Sequence, residues 1–548
     1  MEPKCHNIAV SLENAARDFP NRRAIVVPHT SVSISFAELN DESSRIASGL
    51  NQYGLKKGDR VLLLVPFGID FISIAFALFK AGTVPILIDP GLGRKNVLQC
   101  VEESQPKGMV ATPLAHSISR VFRKPFQSVR QRITVGSRWF WGGKTLDDVR
   151  RLAESNPNFV ETFKDDPAAI LFTSGSTGSP KGVLYTHGMF LRQLDTLRSC
   201  YGIQPGEIDL PTFPLFALFG VGIGMTSILP EMDFTRPAKV NPEMILQTAT
   251  AQNVTSAFGS PALWDTVSRH CLKHNRRLPS IKRILLAGAP VPGSLLERFD
   301  RILEPESEIH TPYGATESLP VATMERKEVL ADTFKKSQKG QGTCVGHVVP
   351  GIELKIISIT DDPIPQWNDA LELPQGKIGE IAVKGPWVTR CYFNREEATR
   401  LAKIEDAENS FWHRMGDVGY LDEQNRLWFC GRKSQRVQTA KGTLFTIQCE
   451  GVFNTHSRVK RSALVGVGTA GQQKPAIIIE LENSGESSGD SSHGELIKEL
   501  SKLGNQYAHT RQVKDILIHP EFPVDIRHNA KIFREQLAKW AIGKISRE

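Results

Sequence analysis

Apolar runs early in the chain predict a strand–helix–strand unit. Val61–Val65 and Val84–Ile88 are short and almost wholly apolar, as buried strands are, and Ile69–Lys80 between them has the length of a helix. Pro66 and Asp70 interrupt the stretch, so it lacks the about 20 consecutive apolar residues that a membrane span needs. Two strands joined by a helix are the building block of a parallel sheet.

The same pairing of a short strand with a helical segment recurs as far as Gly376. Its strands include Gly108–Ala111, Ala168–Phe172, Ser256–Gly259 and Arg283–Ala287. Beyond Gly376 the pattern changes, because Ile378–Val383 and Arg426–Phe429 indicate strands that are separated by turns. We therefore expect an α/β fold with a large N-terminal domain, made of two α/β subdomains with parallel-rich sheets and a small β-rich subdomain.

A second, smaller unit begins after Arg432. Ser462–Val467, Ala476–Leu481 and Asp515–Ile518 are apolar enough for strands, and Glu495–Tyr507 has a helical pattern. The segment 484–494 is rich in Ser and Gly, which predicts a flexible surface loop. These elements predict a small C-terminal α+β domain.

Composition indicates an ordinary soluble globular protein, with 40% hydrophobic and 23% charged residues among 548. The 67 Lys and Arg residues exceed the 59 Asp and Glu residues by eight, but no nucleic-acid-binding motif accompanies this charge. One denser basic and aromatic segment contains Arg120, Arg123, Lys124, Arg130, Arg132, Arg138, Trp139, Phe140 and Trp141. It is a solvated face with a few core aromatics, or a surface that touches an anionic membrane or a partner.

The eight cysteines are scattered and contain no Cys-x-x-Cys pair, so neither a zinc site nor a disulfide framework is indicated. The first ten residues include Glu2 and His6 and lack the long apolar core of a secretory signal. These two features favour reduced thiols and a cytoplasmic location.

The most distinctive motif is the run from Leu171 to Val183, Leu-Phe-Thr-Ser-Gly-Ser-Thr-Gly-Ser-Pro-Lys-Gly-Val, directly after a predicted strand. Small residues let backbone N–H groups approach an anion, the hydroxyl groups add donors, and Lys181 adds positive charge. It differs from a Walker A loop, because Pro180-Lys181-Gly182 replaces the Gly-Lys-Ser/Thr ending. The run predicts a phosphate-binding loop.

This loop resembles the signature loop of adenylate-forming enzymes, the superfamily of acyl-CoA synthetases, peptide-synthetase adenylation domains and firefly luciferase. Further motifs resemble that superfamily in the expected order over nearly the whole chain. They are Leu286–Pro290, Tyr313–Glu317, Gly379–Gly385, Gly416–Tyr420 and Gly431-Arg432. The resemblance implies ATP and Mg²⁺ as cofactors and adenylation of a substrate carboxylate.

The resemblance also implies the residues of the nucleotide site. They are Thr173, Ser174, Gly175, Ser176, Thr177, Gly178, Lys181, Gly288, Ala289, Pro290, Tyr313, Gly314, Ala315, Thr316, Asp417 and Arg432. The side chains suit these roles, since Tyr313 offers a flat face to adenine and Asp417 an acceptor for two ribose hydroxyls. Glu317 supplies a hard oxygen ligand for Mg²⁺. Thr173 and Glu317 are also expected to take part in catalysis.

In this superfamily a catalytic lysine lies on a mobile C-terminal lid domain. Lys531 occupies that place, although His528-Asn529-Ala530 before it depart from the usual pattern. Its expected role is to offset the negative charge of the transition state. The hinge would fall at Ser434, where the superfamily usually has Asp or Lys, which divides the chain into residues 1–433 and 434–548.

The acyl pocket is predicted in Pro211–Met225, with Phe213, Phe216, Ala217, Phe219 and Gly222 as lining residues. Most acyl-CoA synthetases have His where this chain has Ala217, so the predicted wall is apolar. Three strings, 232–237, 442–447 and 522–531, together with Pro214–Phe219, resemble the β-lactone synthetases of bacterial long-chain olefin biosynthesis. That resemblance implies a long-chain 2-alkyl-3-hydroxy fatty acid substrate and ring closure without CoA.

Two alternatives remain at this point. A long-chain fatty-acid-CoA ligase would share every ATP-site residue, and a non-catalytic adenylate-binding homologue would share the fold. His187 and His528 lie near predicted motifs as candidate bases for ring closure, but either could be structural. Association with other enzymes of the olefin pathway is a further expectation, with no nucleic acid or transmembrane segment involved.

Overall fold

The computed structural model describes residues 6–154, 160–173, 180–407, 410–482, 490–525 and 531–545. In these stretches no helix is long and apolar enough to cross a membrane. The helices are α1 Val10–Asp18, α2 Phe36–Gln52, α3 Ile69–Lys80, α4 Arg94–Ser104, α5 Pro113–Val121, α6 Leu146–Arg151, α7 His187–Cys200, α8 Pro214–Ile223, α9 Pro242–Ala251, α10 Pro261–Lys273, α11 Gly293–Ile302, α12 Arg326–Glu328, α13 Phe334–Gln338, α14 Glu396–Ala402, α15 Thr446–Phe453, α16 Asp490–Gly504 and α17 Arg534–Ile545.

The strands follow the predicted pattern closely, and Val84–Ile88 matches to the residue. Up to residue 310 they are β1 Arg23–Val27, β2 Val32–Ser35, β3 Arg60–Leu64, β4 Val84–Ile88, β5 Gly108–Ala111, β6 Gln131–Thr134, β7 Lys144–Thr145, β8 Pro167–Thr173, β9 Lys181–Thr186, β10 Ile208–Pro211, β11 Thr226–Ile228, β12 Ser256–Gly259, β13 Arg283–Leu286 and β14 Glu308–His310. The others are β15 Tyr313–Ala315, β16 Ser318–Thr323, β17 Thr343–Val348, β18 Glu353–Ile357, β19 Gly379–Lys384, β20 Lys403–Glu405, β21 Phe411–Leu421, β22 Arg426–Arg432, β23 Val437–Thr439, β24 Gly442–Leu444, β25 Val459–Val467, β26 Lys474–Leu481 and β27 Asp515–Ile518.

Two seven-stranded sheets of the described residues form the large α/β part. The first has the order β7-β6-β5-β3-β4-β8-β9, and the second has the order β14-β13-β12-β10-β11-β1-β2. All neighbours are parallel except β8 with β9 and β1 with β2. Helix α3 is buried from Phe71 to Lys80. It belongs to one hydrophobic core together with residues of both sheets, such as Ile25 and Val110.

The predicted β-rich unit is a third, antiparallel sheet. Its order is β15-β16-β17-β22-β21-β19-β18, and β20 pairs with β21. Its own core contains Val321, Ile381, Val383 and Leu427. This sheet continues the chain directly from β14 of the second sheet, so it lies against the edge where the parallel strands end. The predicted α/β fold is therefore confirmed.

The C-terminal unit contains the three-stranded sheet β25-β26-β27 and helices α15, α16 and α17. One prediction here is wrong: α16 begins at Asp490, within the predicted loop 484–494, and ends at Gly504 rather than at Tyr507. Asp and Ser, which favoured a loop in the sequence, are also preferred at the start of a helix. Residues 484–489 lie outside the described residues. The boundary at 433/434 stays a prediction and falls inside the 3-10 helix Lys433–Gln435.

Candidate active site

The predicted phosphate-binding loop connects two strands that hold its ends together. Strand β8 ends at Thr173 and β9 begins at Lys181, and these two residues are direct partners in the antiparallel pair. Ser174, Gly175, Ser176, Thr177 and Gly178 lie outside the described residues, as does the side chain of Thr173. Because β8 is parallel to β4, the loop begins at the carboxyl edge of the first sheet, where open α/β sheets bind their ligands.

Two other predicted segments meet at the corresponding edge of the second sheet. Gly288, Ala289 and Pro290 follow β13, and Tyr313 to Thr316 follow β14, which is parallel to β13. Gly288 has a φ of 95°, which favours glycine. A Cβ on Gly314 would lie 2.4 Å from the carbonyl oxygen of Ser318, so the turn between β15 and β16 requires glycine there.

Tyr313, Asp417 and Arg432 form one group, joined by a hydrogen bond and an ion pair. The hydroxyl of Tyr313 donates to Oδ2 of Asp417 at 2.7 Å, and Nη1 of Arg432 lies 2.7 Å from Oδ1 of Asp417. Asp417 and Arg432 are partners across β21 and β22, which fixes their separation. Burial raises the pKa of Asp417, and the Arg432 cation opposes that shift. The structure thus brings together three residues that the sequence assigned to the nucleotide.

Glu317 lies in a second group, together with a residue that the sequence analysis missed. Oε1 of Glu317 accepts a hydrogen bond from the hydroxyl of Tyr392 at 2.6 Å. The ammonium group of Lys181 lies 4.7 Å from the centre of the Tyr392 ring. Burial lowers the pKa of Lys181, and the charge of Glu317 partly offsets this shift. Tyr392 is held in place by Val183, with which it forms a β-bridge.

A buried lysine next to Glu317 was also missed. Burial lowers the pKa of Lys403 to about 7, and the charge of Glu317 acts against that shift. Nζ of Lys403 donates to the carbonyl oxygen of Thr389, and the N–H of Thr389 donates to the carbonyl oxygen of Glu317 at 2.9 Å. Burial, followed by the nearby Lys403, holds the pKa of His413 well below its usual value. Neither Tyr392 nor Lys403 belongs to a recognisable motif, so only the fold reveals them.

The site fits Mg²⁺ that arrives with a nucleotide. No group of three or more His, Cys, Asp or Glu side chains in the described part of the chain could hold a metal by itself. Glu317 provides one carboxylate beside Lys181. Mg²⁺ is commonly held by one or two carboxylates together with substrate phosphates, so a single acidic residue suits it.

Lys531 lies close to the group formed by Tyr313, Asp417 and Arg432. Burial lowers the pKa of Lys531, and the cation of Arg432 lowers it further. The backbone N–H of Lys531 donates to Oδ1 of Asp525 at 2.9 Å, and the N–H of Asp525 donates back to the carbonyl oxygen of Lys531 at 3.1 Å. The C-terminal unit therefore presents Lys531 beside Arg432. His528, with Asn529 and Ala530, lies outside the described residues.

The predicted hinge residue Ser434 lies between two cations bound to the antiparallel unit. Nζ of Lys433 lies 3.1 Å from a carboxylate oxygen of Glu380, and Arg436 pairs with Asp361. The hinge itself remains a prediction, since these contacts describe one arrangement of the two units.

The predicted acyl pocket lies around helix α8. Phe216 stacks on Phe258 with 3.9 Å between ring centres, and Phe219 meets Phe190 edge-on at 6.1 Å. Phe213 lies 6.1 Å from Phe258, and Ala217 is fully buried. These side chains form an aromatic, apolar cluster around Ala217, and their place in a substrate pocket stays a prediction.

Gly222 on the same helix serves a close helix contact. A Cβ there would lie 2.8 Å from both Cδ1 of Leu194 in α7 and Oγ of Ser11 in α1. Packing accounts for this glycine, so its place in the substrate pocket stays a prediction.

His187, one of the two candidate bases, is enclosed in the core. Its Nδ1 accepts a hydrogen bond from the backbone N–H of Ile8 at 3.3 Å, and its ring packs edge-on against Phe79. Burial lowers the pKa of His187 to about 4. These contacts give the side chain a structural role.

Comparison with known proteins defines the class. The family described as AMP-binding enzyme matches residues 12–393, and the chain belongs to this family. The "Olefin beta-lactone synthetase" of Xanthomonas campestris is 45% identical over 549 residues, 98% of this chain and 97% of that protein. The protein of the same name from Stenotrophomonas maltophilia is 44% identical over 556 residues, 99% of both chains. The predicted family is therefore confirmed.

Solved structures share the fold. The amide bond synthetase of Marinactinospora thermotolerans has a TM-score of 0.77 at 20% identity, over 97% of this chain and 99% of that one. An O-succinylbenzoate coenzyme A synthetase of Bacillus subtilis in complex with AMP has a TM-score of 0.74 at 23% identity, over 96% and 97% of the two chains.

Proposed function

We propose that this enzyme adenylates a long-chain 2-alkyl-3-hydroxy fatty acid and closes it to a β-lactone, releasing pyrophosphate and AMP. The observation that carries the proposal is the 45% and 44% identity, over nearly full lengths, with two proteins named olefin beta-lactone synthetase. The arrangement of the described residues supports each half of the reaction.

The group around Asp417 suits the nucleoside of ATP. Asp417 is buried, with one oxygen bound to Tyr313 and the other paired with Arg432. We assign Asp417 to the ribose hydroxyls, which offer the hydrogens that a carboxylate accepts. The turns at Gly288–Pro290 and Tyr313–Thr316 enclose the adenine, with the ring of Tyr313 as a face for stacking.

The first half-reaction joins the substrate to AMP. An oxygen of the substrate carboxylate attacks the α-phosphorus of ATP, and the bond to the β-phosphate oxygen breaks. Lys531, in the unit that follows residue 433, contacts the developing negative charge. Lys181 and the loop 173–178 bind the departing phosphates. Mg²⁺ held by Glu317 would neutralise charge on these phosphates.

The second half-reaction needs no second substrate. The 3-hydroxyl oxygen attacks the acyl carbon of the adenylate, the acyl–phosphate bond breaks, and AMP leaves. The hydroxyl proton passes to the leaving phosphate or to solvent, so atoms and charge balance. Because the nucleophile is tethered to the acyl group, orientation replaces the binding of an acceptor. The apolar wall of Phe213, Phe216 and Phe219 suits two alkyl chains.

A reducing compartment suits this chain, and we propose the cytoplasm. The seven described cysteines are free thiols, and five of them are buried. Burial raises the pKa of the thiol of Cys271 to about 11, which keeps it protonated and unreactive.

A matched pair of substrates tests the proposal. The acid with its 3-hydroxyl and the same acid without it are compared for pyrophosphate exchange into ATP and for product. We expect exchange with both acids, because adenylation uses only the carboxylate, and lactone with the hydroxy acid alone. Absence of acid-dependent exchange would indicate a non-catalytic adenylate-binding protein. Exchange without any lactone from the hydroxy acid would refute the cyclising step.

A further inference from the structure

Helix α5 exposes an apolar face. Leu114, Ile118 and Val121 recur at the spacing of one helix face, and the exposed fractions of Leu114 and Val121 are 70% and 76%. The opposite side of the helix is buried through His116 and Ser119. An isolated exposed leucine needs no explanation, but three apolar side chains in one row on a surface helix do.

A neighbouring loop adds two aromatic rings to this surface. Trp139 and Phe140 are 58% and 74% exposed, and both rings lie 5.4 Å from that of buried Trp141. Trp141 in turn stacks on His116 at 5.3 Å, and its carbonyl oxygen accepts from Arg120 at 2.5 Å. Trp141 therefore fixes the two exposed rings beside α5. We call Leu114, Ile118, Val121, Trp139 and Phe140 the α5 face.

Every Asp, Glu, Lys or Arg position in the chain segment that forms the α5 face is Lys or Arg. Residues 105–146 contain eight Lys or Arg and no Asp or Glu, so this segment carries +8, which equals the net charge of the whole chain. Five of these cations are exposed: Arg120, Arg123, Lys124, Arg130 and Arg138. Only Lys124 among these five has a carboxylate within ion-pair distance in the described residues, at 2.8 Å from Glu102.

We propose that the α5 face docks this enzyme on the surface of an anionic lipid bilayer. Exposed Trp, Phe and Leu side chains suit the boundary between headgroups and acyl chains, and the surrounding Arg and Lys suit the negative headgroups. A protein interface is the poorer fit, because exposed basic side chains, four of the five without a carboxylate within ion-pair distance in the described residues, are concentrated around the apolar centre rather than mixed at a rim.

The α5 face begins at the edge of the first sheet where the active site lies. Strand β5 leads into α5, and the N–H of Thr112 donates to the carbonyl oxygen of Leu64, the last residue of β3, at 3.2 Å. The chain after β3 carries Phe67, whose ring meets that of Phe234 at 4.8 Å. Docking would therefore bring the carboxyl edge of the first sheet, where the predicted phosphate-binding loop begins, towards the bilayer. The benefit for a lipid substrate rests on the proposed function, but docking itself does not.

Flotation of the full chain with lipid vesicles tests the proposal. We expect binding to vesicles of phosphatidylcholine with phosphatidylglycerol, weak binding to phosphatidylcholine alone, and loss of binding at high salt. Arg123→Glu/Arg130→Glu and, separately, Trp139→Ser/Phe140→Ser should each weaken binding by about tenfold or more. Lys335→Glu/Lys498→Glu alters exposed lysines elsewhere by the same net charge and should retain nearly full binding.

Acid-dependent pyrophosphate exchange with dispersed substrate serves as the folding control for every variant. Equal loss in the Lys335/Lys498 control would overturn the proposal, because net charge alone would then explain binding. Wild-type protein that ignores anionic vesicles would also overturn it. A change in oligomeric state on Trp139→Ser/Phe140→Ser, without vesicle binding by the wild type, would assign the α5 face to a protein contact instead.

Discussion

The two carboxylates of the candidate site have different surroundings. Asp417 has both oxygens engaged, one by the hydroxyl of Tyr313 and one by the guanidinium of Arg432. Glu317 receives a hydrogen bond from the neutral hydroxyl of Tyr392, while Lys181 and Lys403 act on it electrostatically.

This difference indicates a different ligand for each side. The carboxylate of Asp417 is already paired with the Arg432 cation. This side of the site therefore suits neutral hydroxyl groups, which replace one hydrogen bond of the carboxylate with another. The Glu317 side contains two lysines, Lys181 and Lys403, whose pKa values are lowered by burial. Keeping both lysines charged costs free energy until a ligand brings negative charge. A triphosphate with its metal would supply and balance that charge. The predictions below separate the two sides, from the largest effect to the smallest.

Replacement of Lys531 should have the largest effect on the adenylation rate. The substitution removes a positive charge that no group on the Asp417 side or the Glu317 side supplies in its place. We expect Lys531→Ala to lower the adenylation rate by roughly 10²–10³-fold while ATP binding persists. Pyrophosphate exchange and calorimetric ATP binding measure the two quantities. Lys539→Ala, an exposed lysine on α17, is the matched control. Unchanged exchange in Lys531→Ala would defeat its assignment.

Glu317→Gln should abolish the metal ligand while keeping an acceptor for Tyr392. We expect adenylation to fall by about hundredfold, because the charge of the metal is worth several kcal/mol in the transition state. A titration of Mg²⁺ against exchange rate checks this, and a higher Mg²⁺ requirement is expected. Glu353→Gln on the exposed start of β18 is the control. An unaltered Mg²⁺ dependence would remove Glu317 from the metal site.

Asp417→Asn should act on nucleotide affinity rather than on the metal. We expect ATP to bind about tenfold more weakly, since a hydrogen bond to a charged group contributes ~1.5–3 kcal/mol. The Mg²⁺ requirement should stay as in the wild type. A changed Mg²⁺ requirement with unchanged affinity would reverse the roles of the two carboxylates.

Lys403→Met should have the smallest effect on rate and a distinct dependence on pH. Burial lowers the pKa of Lys403 from its ordinary value of 10.5 to about 7. Between these two pH values the unfolded chain therefore binds more protons than the folded chain. The free energy of unfolding should therefore rise with pH over this window in the wild type, and the rise should shrink in the variant.

The same substitution should remove a decline in adenylation rate as pH increases through 7, where Lys403 loses its charge. Lys80→Met provides the comparison, because burial also lowers the pKa of Lys80 to about 7. Its Nζ donates to Asn40 and Ser44 at 2.8 Å, away from the site. It should alter the stability profile alone. A loss of the rate decline in Lys80→Met would refute the assignment to Lys403.

Most of the fold could be predicted from the chain, because period and length suffice for buried strands. The helix predicted at Ile69–Lys80 has those bounds in the structure, and β3 and β13 differ from their predictions by one residue at one or both ends. The start of α16 could not be predicted, because Asp and Ser favour both loops and helix starts. Likewise, the sequence around Gly222 did not indicate the close contact with α1 and α7 that requires a glycine there.

The candidate site divides in the same way. Tyr313, Glu317, Asp417 and Arg432 could be predicted as site residues because each belongs to an ordered motif, and Lys531 because it occupies the place of the superfamily's C-terminal lysine. Tyr392 and Lys403 were missed, because their importance comes from contacts with Glu317 across 75 residues or more of sequence. A buried lysine is expensive in isolation, yet only the fold reveals that Lys403 is buried.

The identity of the product tests the central claim most directly. The protein is incubated with ATP, Mg²⁺ and a synthetic long-chain 2-alkyl-3-hydroxy acid, with and without CoA, and the products are identified by NMR. We predict a β-lactone, with AMP and pyrophosphate, in both mixtures. A thioester that forms only when CoA is present, with no lactone in either mixture, would contradict the account and identify a fatty-acid-CoA ligase.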